Sequence, residues 1–133
     1  MIVINFFSKY KLIFYFSNFV LILLYIYPCS ILGYFLNKDC KAQPQITDDF
    51  VVSANHFFAF ATLSIITFLT FSKYKYFKST ILYLIFMSIV LELTHIFIPE
   101  RSFQYIDLFG NLIGVSIVTI FYLIIIKYEK FIN

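Results

Sequence analysis

The chain has 133 residues, 62% hydrophobic and 13% charged, with only 3 Gly and 3 Pro and a formal net charge of +3. A soluble domain carries roughly 25% charged and 45–50% apolar residues. An ordinary water-soluble fold is therefore excluded, and the length allows one membrane domain over 1–133 without a separate soluble module. The positive charge is too scattered to follow a nucleic-acid backbone and fits orientation in a membrane and contact with anionic lipid instead.

Four apolar blocks follow one another at 12–36, 51–71, 79–98 and 108–126. A helix rises about 1.5 Å per residue, so ~20 residues cross a hydrocarbon core of ~30 Å. The runs do not alternate, and four strands could not close a barrel. The expected fold is an all-α membrane protein, a four-transmembrane-helix bundle. The first block carries no charge but holds Pro28 and Gly33, either of which can kink a helix or end its regular part. It is too long for the apolar core of a signal peptide, and Tyr25, Tyr27 and Pro28 suit a cleavage site badly, so a retained anchor is expected. The second block is interrupted only by Asn55 and His56, the third holds Glu92 and His95, and the fourth has Asn111 as its one strongly polar residue.

The flanking charges set an orientation. Lys9 and Lys11 precede the first block, Lys73, Lys75 and Lys78 follow the second, and Lys127 and Lys130 oppose Glu129 in the tail. The other two loops are mixed: Lys38 and Lys41 against Asp39, Asp48 and Asp49, then Arg101 against Glu100 and Asp107. The positive-inside rule puts both termini and the 73–78 loop in the cytoplasm, with Tyr74, Tyr76 and Tyr128 at that interface. The 37–50 and 99–107 loops then face outward. On this map His56, Glu92, His95, Arg101, Asp107 and Asn111 all fall toward the outer surface, and the inner halves read as plain hydrocarbon.

Helical spacing sharpens the cluster. Glu92 and His95 are three apart and share a face, as do Asp107 and Asn111 at four. Gly110 and Gly114 form a G-x-x-x-G pair, which lets another helix approach closely. An acid at membrane depth costs several kcal/mol unless paired or wet, so Glu92 should point into the bundle, with Arg101 or His95 as its partner.

Glu92-Leu-Thr-His95, Pro99-Glu-Arg101-Ser102 and Asp107-x-x-x-Asn111-x-x-Gly114 together resemble the signature of the VanZ-like membrane proteins, and His56-Phe57-x-x-Phe60 matches that family's histidine at the start of its second helix. The resemblance covers about 48–120. It implies a small four-helix protein of a bacterial plasma membrane, in a family associated with glycopeptide resistance of the teicoplanin type. Against the family pattern, Val52 and Ser53 stand where an Asp-Lys pair is common, His95 where Gln is usual, and Glu100 where Gly is usual.

The remaining chemistry is sparse. Glu92-x-x-His95 has the spacing of a di-iron ligand pair but occurs once. A zinc site from His56, Glu92, His95 and Asp107 is conceivable, yet the family's Gln at position 95 speaks against it. No metal and no cofactor are expected. Cys29 and Cys40 read as unpaired, and no nucleophile elbow or phosphate-binding loop is present. The expected role is binding of an amphipathic or anionic envelope molecule, such as a lipid or a lipid-linked precursor, rather than catalysis. Arg101 would take the anionic group, and Glu92 with a histidine would hold or move a proton. The alternative is a structural helper whose polar cluster only locks helix packing.

Overall fold

The computed structural model describes residue 9, residues 11–72 and residues 74–132, with the side chains of 74 and 129–132 outside that description. Lys73, Glu129 and Lys130, which entered the charge count above, therefore lie outside what can be described. Among the described residues there are five α-helices, one short 3-10 turn at Tyr74–Tyr76 and no strand. The helices are α1 (Leu12–Ile26), α2 (Ile31–Asn37), α3 (Ala54–Thr70), α4 (Phe77–Thr94) and α5 (Tyr105–Ile132).

The first apolar block is not one straight helix. Proline disfavours the helical conformation in the residue before it, and Tyr27, before Pro28, is extended at φ −65° and ψ 128°. The chain turns through 78° and restarts as α2. Ser30 caps the restart by accepting from the Gly33 amide at 3.0 Å. A Cβ on Gly33 would lie 2.7 Å from the Asp39 carbonyl oxygen, so only glycine lets the returning loop pack this closely.

That loop carries a departure from expectation. Cys29 and Cys40 are joined in a disulfide, not unpaired, with their Cα atoms 4.8 Å apart. The Ser30 amide donates to the Cys40 carbonyl at 2.9 Å, which holds the two chain segments side by side.

Both α4 and α5 are long and apolar enough to cross a membrane, α1 and α2 add a third span if the bent pair counts as one, and α3 is apolar but has 17 residues. Only 28% and 22% of the apolar windows of α4 and α5 are buried within the protein. The rest is outward-facing hydrocarbon such as Phe86, Phe109, Ile120 and Phe121, the surface a lipid-solvated helix presents.

The interior is built by α3 against α5. A Cβ on Gly114 would lie 2.5 Å from the Phe57 carbonyl oxygen, and one on Gly110 would lie 2.8 Å from that of Ser53. The glycine pair thus brings two backbones into direct contact, as its spacing implies. Leu21, Tyr25, Phe60, Leu63, Phe68, Leu84, Leu91 and Val115 form the buried core. At one end Phe68 and Tyr122 stack at 4.5 Å, and the Tyr122 hydroxyl donates to the Ser72 carbonyl. At the other, Lys41 pairs with Glu100 at 3.5 Å, so the 37–50 and 99–107 loops meet.

The helix halves away from these loops are more polar than plain hydrocarbon. Asn18 on α1 is buried, donates to the Phe14 carbonyl at 2.8 Å and accepts from the Tyr83 hydroxyl. Thr67 and Thr70 return their hydroxyls to carbonyls four residues back, which satisfies them within their own helix.

Candidate functional site

The ends of α1 and α4 and the starts of α3 and α5 converge at the end of the bundle where the two loops meet. Each contributes one or two polar side chains from the inward face of its terminal turns. His56 is the third residue of α3, Glu92 and His95 close α4, and Asp107 and Asn111 open α5.

Glu92 is fully buried. Its Oε1 accepts from the Gln104 amide at 3.1 Å and lies 3.3 Å from His95 Nδ1. Gln104 immediately precedes α5, so the carboxylate takes one of the amide donors that a helix start leaves free. Its Oε2 lies 3.7 Å from His56 Nδ1 and has no hydrogen-bond partner among the described residues. His56 spans the centre, with Nε2 3.5 Å from Asp107 Oδ2. Asn111, also fully buried, offers its amide oxygen to His56 at 3.2 Å and donates to the Ser88 carbonyl at 3.4 Å.

Sequence reasoning missed Tyr25. Its hydroxyl donates to Asn111 Oδ1 at 2.7 Å and lies 2.9 Å from His56 Nδ1, while its ring stacks on His95 at 5.5 Å. Asn18, Leu21 and Tyr25 recur at three and four positions on one face of α1 and are all buried. That periodicity was the available signal.

Arg101 is not the partner of Glu92. Its Nη2 donates to the Leu24 carbonyl at 3.1 Å and its Nε to the Tyr27 carbonyl at 3.2 Å. The carbonyl of Leu24 would ordinarily receive the amide of residue 28, but Pro28 has none. Arg101 supplies the donor that the proline removes and closes the end of α1. Half-burial draws its pKa down from the ordinary value, against the opposing pull of Tyr25, Glu92 and Asp107, and a guanidinium stays charged through such a shift. Of the predicted site residues, His56, Glu92, His95, Asp107 and Asn111 therefore meet in one network, and Arg101 stands beside it, bonded to the end of α1.

A cavity of about 490 Å³ adjoins the network. Tyr25, His56, His95 and Arg101 line its polar end. Phe16, Val20 and Leu24 of α1 and Phe58, Thr62 and Ile66 of α3 line the remainder. The loop closes over it with Gln43, Pro44 and Ile46, and Asn55 holds that loop by donating to the Pro44 carbonyl and accepting from the Ile46 amide.

Among the described residues, helices long and apolar enough to cross a membrane and this polar network define a class of small membrane protein built around a largely buried His-Glu-Asp-Asn cluster. The chain belongs to the VanZ/LLP1 family, whose model matches residues 1–126. No curated protein and no solved structure matches it. In that family setting Glu100 is informative, since it adopts φ 65°, the left-handed region that favours glycine.

Proposed function

We propose that the protein crosses a bacterial plasma membrane four times, with both termini in the cytoplasm, and binds an anionic amphipathic envelope molecule from the outer side. The broken α1–α2 pair forms the first span and α3, α4 and α5 the others. The Cys29–Cys40 bridge supports this orientation, because disulfides persist in oxidising compartments and not in the cytosol. Lys11, Lys75 and Lys78 at the opposite end agree with it.

The shape of the cavity carries the binding reading. Phe16 to Leu24 covers nine residues of α1, about 12 Å of rise, so the apolar wall runs well into the membrane. Arg101, Tyr25 and the two histidines stand at its head. An acyl or polyprenyl tail matches the wall, and a phosphate or carboxylate head matches Arg101. Two of the five N–H groups of that guanidinium are committed to carbonyls among the described residues. The proposed ligand class therefore includes lipids and lipid-linked precursors, and the proposed role extends to glycopeptide tolerance or envelope maintenance.

The test compares Glu92→Gln and Arg101→Ala with the unaltered protein in cells stressed by a glycopeptide. Both variants should insert and accumulate normally and lose the protective phenotype. If both fail to accumulate, and apolar repacking of the cluster restores abundance together with the phenotype, the protein is a structural helper.

A further inference from the structure

We propose that His56, Glu92 and Asp107 form a binding site for a divalent transition-metal ion, Zn²⁺ or Mn²⁺. One imidazole nitrogen of His56 and one carboxylate oxygen each from Glu92 and Asp107 lie within 4.8 Å of one another. Metal–ligand bonds of about 2.1 Å at a tetrahedral angle hold two donors ~3.4 Å apart, so side-chain movement of roughly 1–1.5 Å closes the set. The objection raised by the sequence concerned His95, and this triad does not use it.

The hydrogen bonds around His56 select the nitrogen. Tyr25 gives its hydroxyl proton to Asn111 Oδ1, so its oxygen is left to accept from His56 Nδ1. With the proton on Nδ1, Nε2 presents a lone pair 3.5 Å from Asp107 Oδ2. Two electron-rich atoms facing each other at side chains only 15% and 16% exposed make a place for a positive charge, which a metal ion can supply. Donors 3.5 Å apart, each about 2.1 Å from one ion, subtend close to a tetrahedral angle. A metal-bound histidine characteristically donates its other N–H to an oxygen that fixes the ring, and Tyr25 with Asn111 supplies that support here.

A second observation points the same way. Glu92 is fully buried, and its Oε2, 3.7 Å from the Nδ1 edge of the His56 ring, has no hydrogen-bond donor among the described residues; joining an ion at Nε2 takes a rotation of this carboxylate toward Asp107. An ionised carboxylate oxygen buried without a donor is costly, and a metal ion is the partner that satisfies it. One imidazole with two carboxylates is a donor set for Zn²⁺ or Mn²⁺. His56 also lines the cavity, so open coordination positions would face that space. The inference stands whether or not a lipid occupies the cavity.

The experiment uses tag-free protein in detergent, stripped with a chelator and equilibrated with Zn²⁺ or Mn²⁺ alone, with Mg²⁺ as the comparison ion. The expected result is about one Zn²⁺ or Mn²⁺ per chain and at least tenfold weaker binding in Asp107→Asn and Glu92→Gln. Since those variants could misfold, pulsed electron paramagnetic resonance of Mn²⁺ on the unaltered protein gives an independent reading, with coupling to a single imidazole nitrogen expected. Absence of that coupling, or equal binding by the unaltered protein and both folded variants, overturns the proposal. So does nitrogen NMR showing His56 doubly protonated in the presence of saturating metal.

Discussion

The Tyr25 hydroxyl donates to Asn111 Oδ1 at 2.7 Å and so ties the first helix to the last across 86 positions of sequence. Because Tyr25 also meets His56 and stacks on His95, it is where three other helices converge on α1. Tyr25→Phe keeps the ring and removes the bond. The variant should lose about 1 kcal/mol, the scale of one buried hydrogen bond in a membrane bundle. Thermal unfolding in detergent measures this, and Tyr15→Phe, on an exposed side chain of the same helix, should show no loss.

Gly114→Ala should destabilise by about 1–3 kcal/mol, the usual cost of overpacking. Its new methyl would meet backbone, the Phe57 carbonyl, which cannot swing aside as a side chain does. Gly110→Ala should act in the same direction through the Ser53 carbonyl. Equilibrium unfolding of both variants checks the α3–α5 contact.

Glu100→Gly should raise stability. A non-glycine residue in the left-handed region costs roughly 1–2 kcal/mol, and the exposed pair with Lys41 returns at most about 1 kcal/mol. The net gain is expected to lie between about 0 and 2 kcal/mol, read as a higher unfolding temperature at unchanged abundance.

The disulfide offers a check on orientation. A membrane-impermeant maleimide applied to intact cells should label Cys29 and Cys40 only after an external reductant. Replacing both cysteines by serine should cost about 2–3 kcal/mol through loop entropy and loosen the segment of Gln43 to Ile46 that roofs the cavity. Labelling without reductant, or only after cell lysis, would count against the outward placement.

The legibility of the site in the sequence follows from what hydrocarbon tolerates. Glu92, Asp107, Asn111 and His56 stood out because an acid or amide in an apolar run must find a partner, and they do meet. The glycine pair was readable for the same kind of reason, since its spacing has one packing consequence. Tyr25 was not, because a tyrosine near a helix end is equally at home at the membrane interface. Asn18 was overlooked in an uncharged block, and its partner Tyr83 looked like one more apolar aromatic. Of the two partners expected for Glu92, His95 takes the place and Arg101 does not, because the end of α1, with its Pro28 gap, competes for the guanidinium. The cysteine bridge depended on the 78° turn, which brings α2 and its return loop beside residue 29 and which composition does not encode.

The most direct measurement of the binding account is native mass spectrometry of the protein released from its own membrane, with Arg101→Lys in parallel. The account predicts a retained anionic lipid-like molecule on the unaltered protein, and a weaker complement on the variant, because a lysine cannot both cap the Leu24 and Tyr27 carbonyls and engage a head group. A protein that emerges without any such molecule, or an equal lipid complement on both proteins, would contradict it.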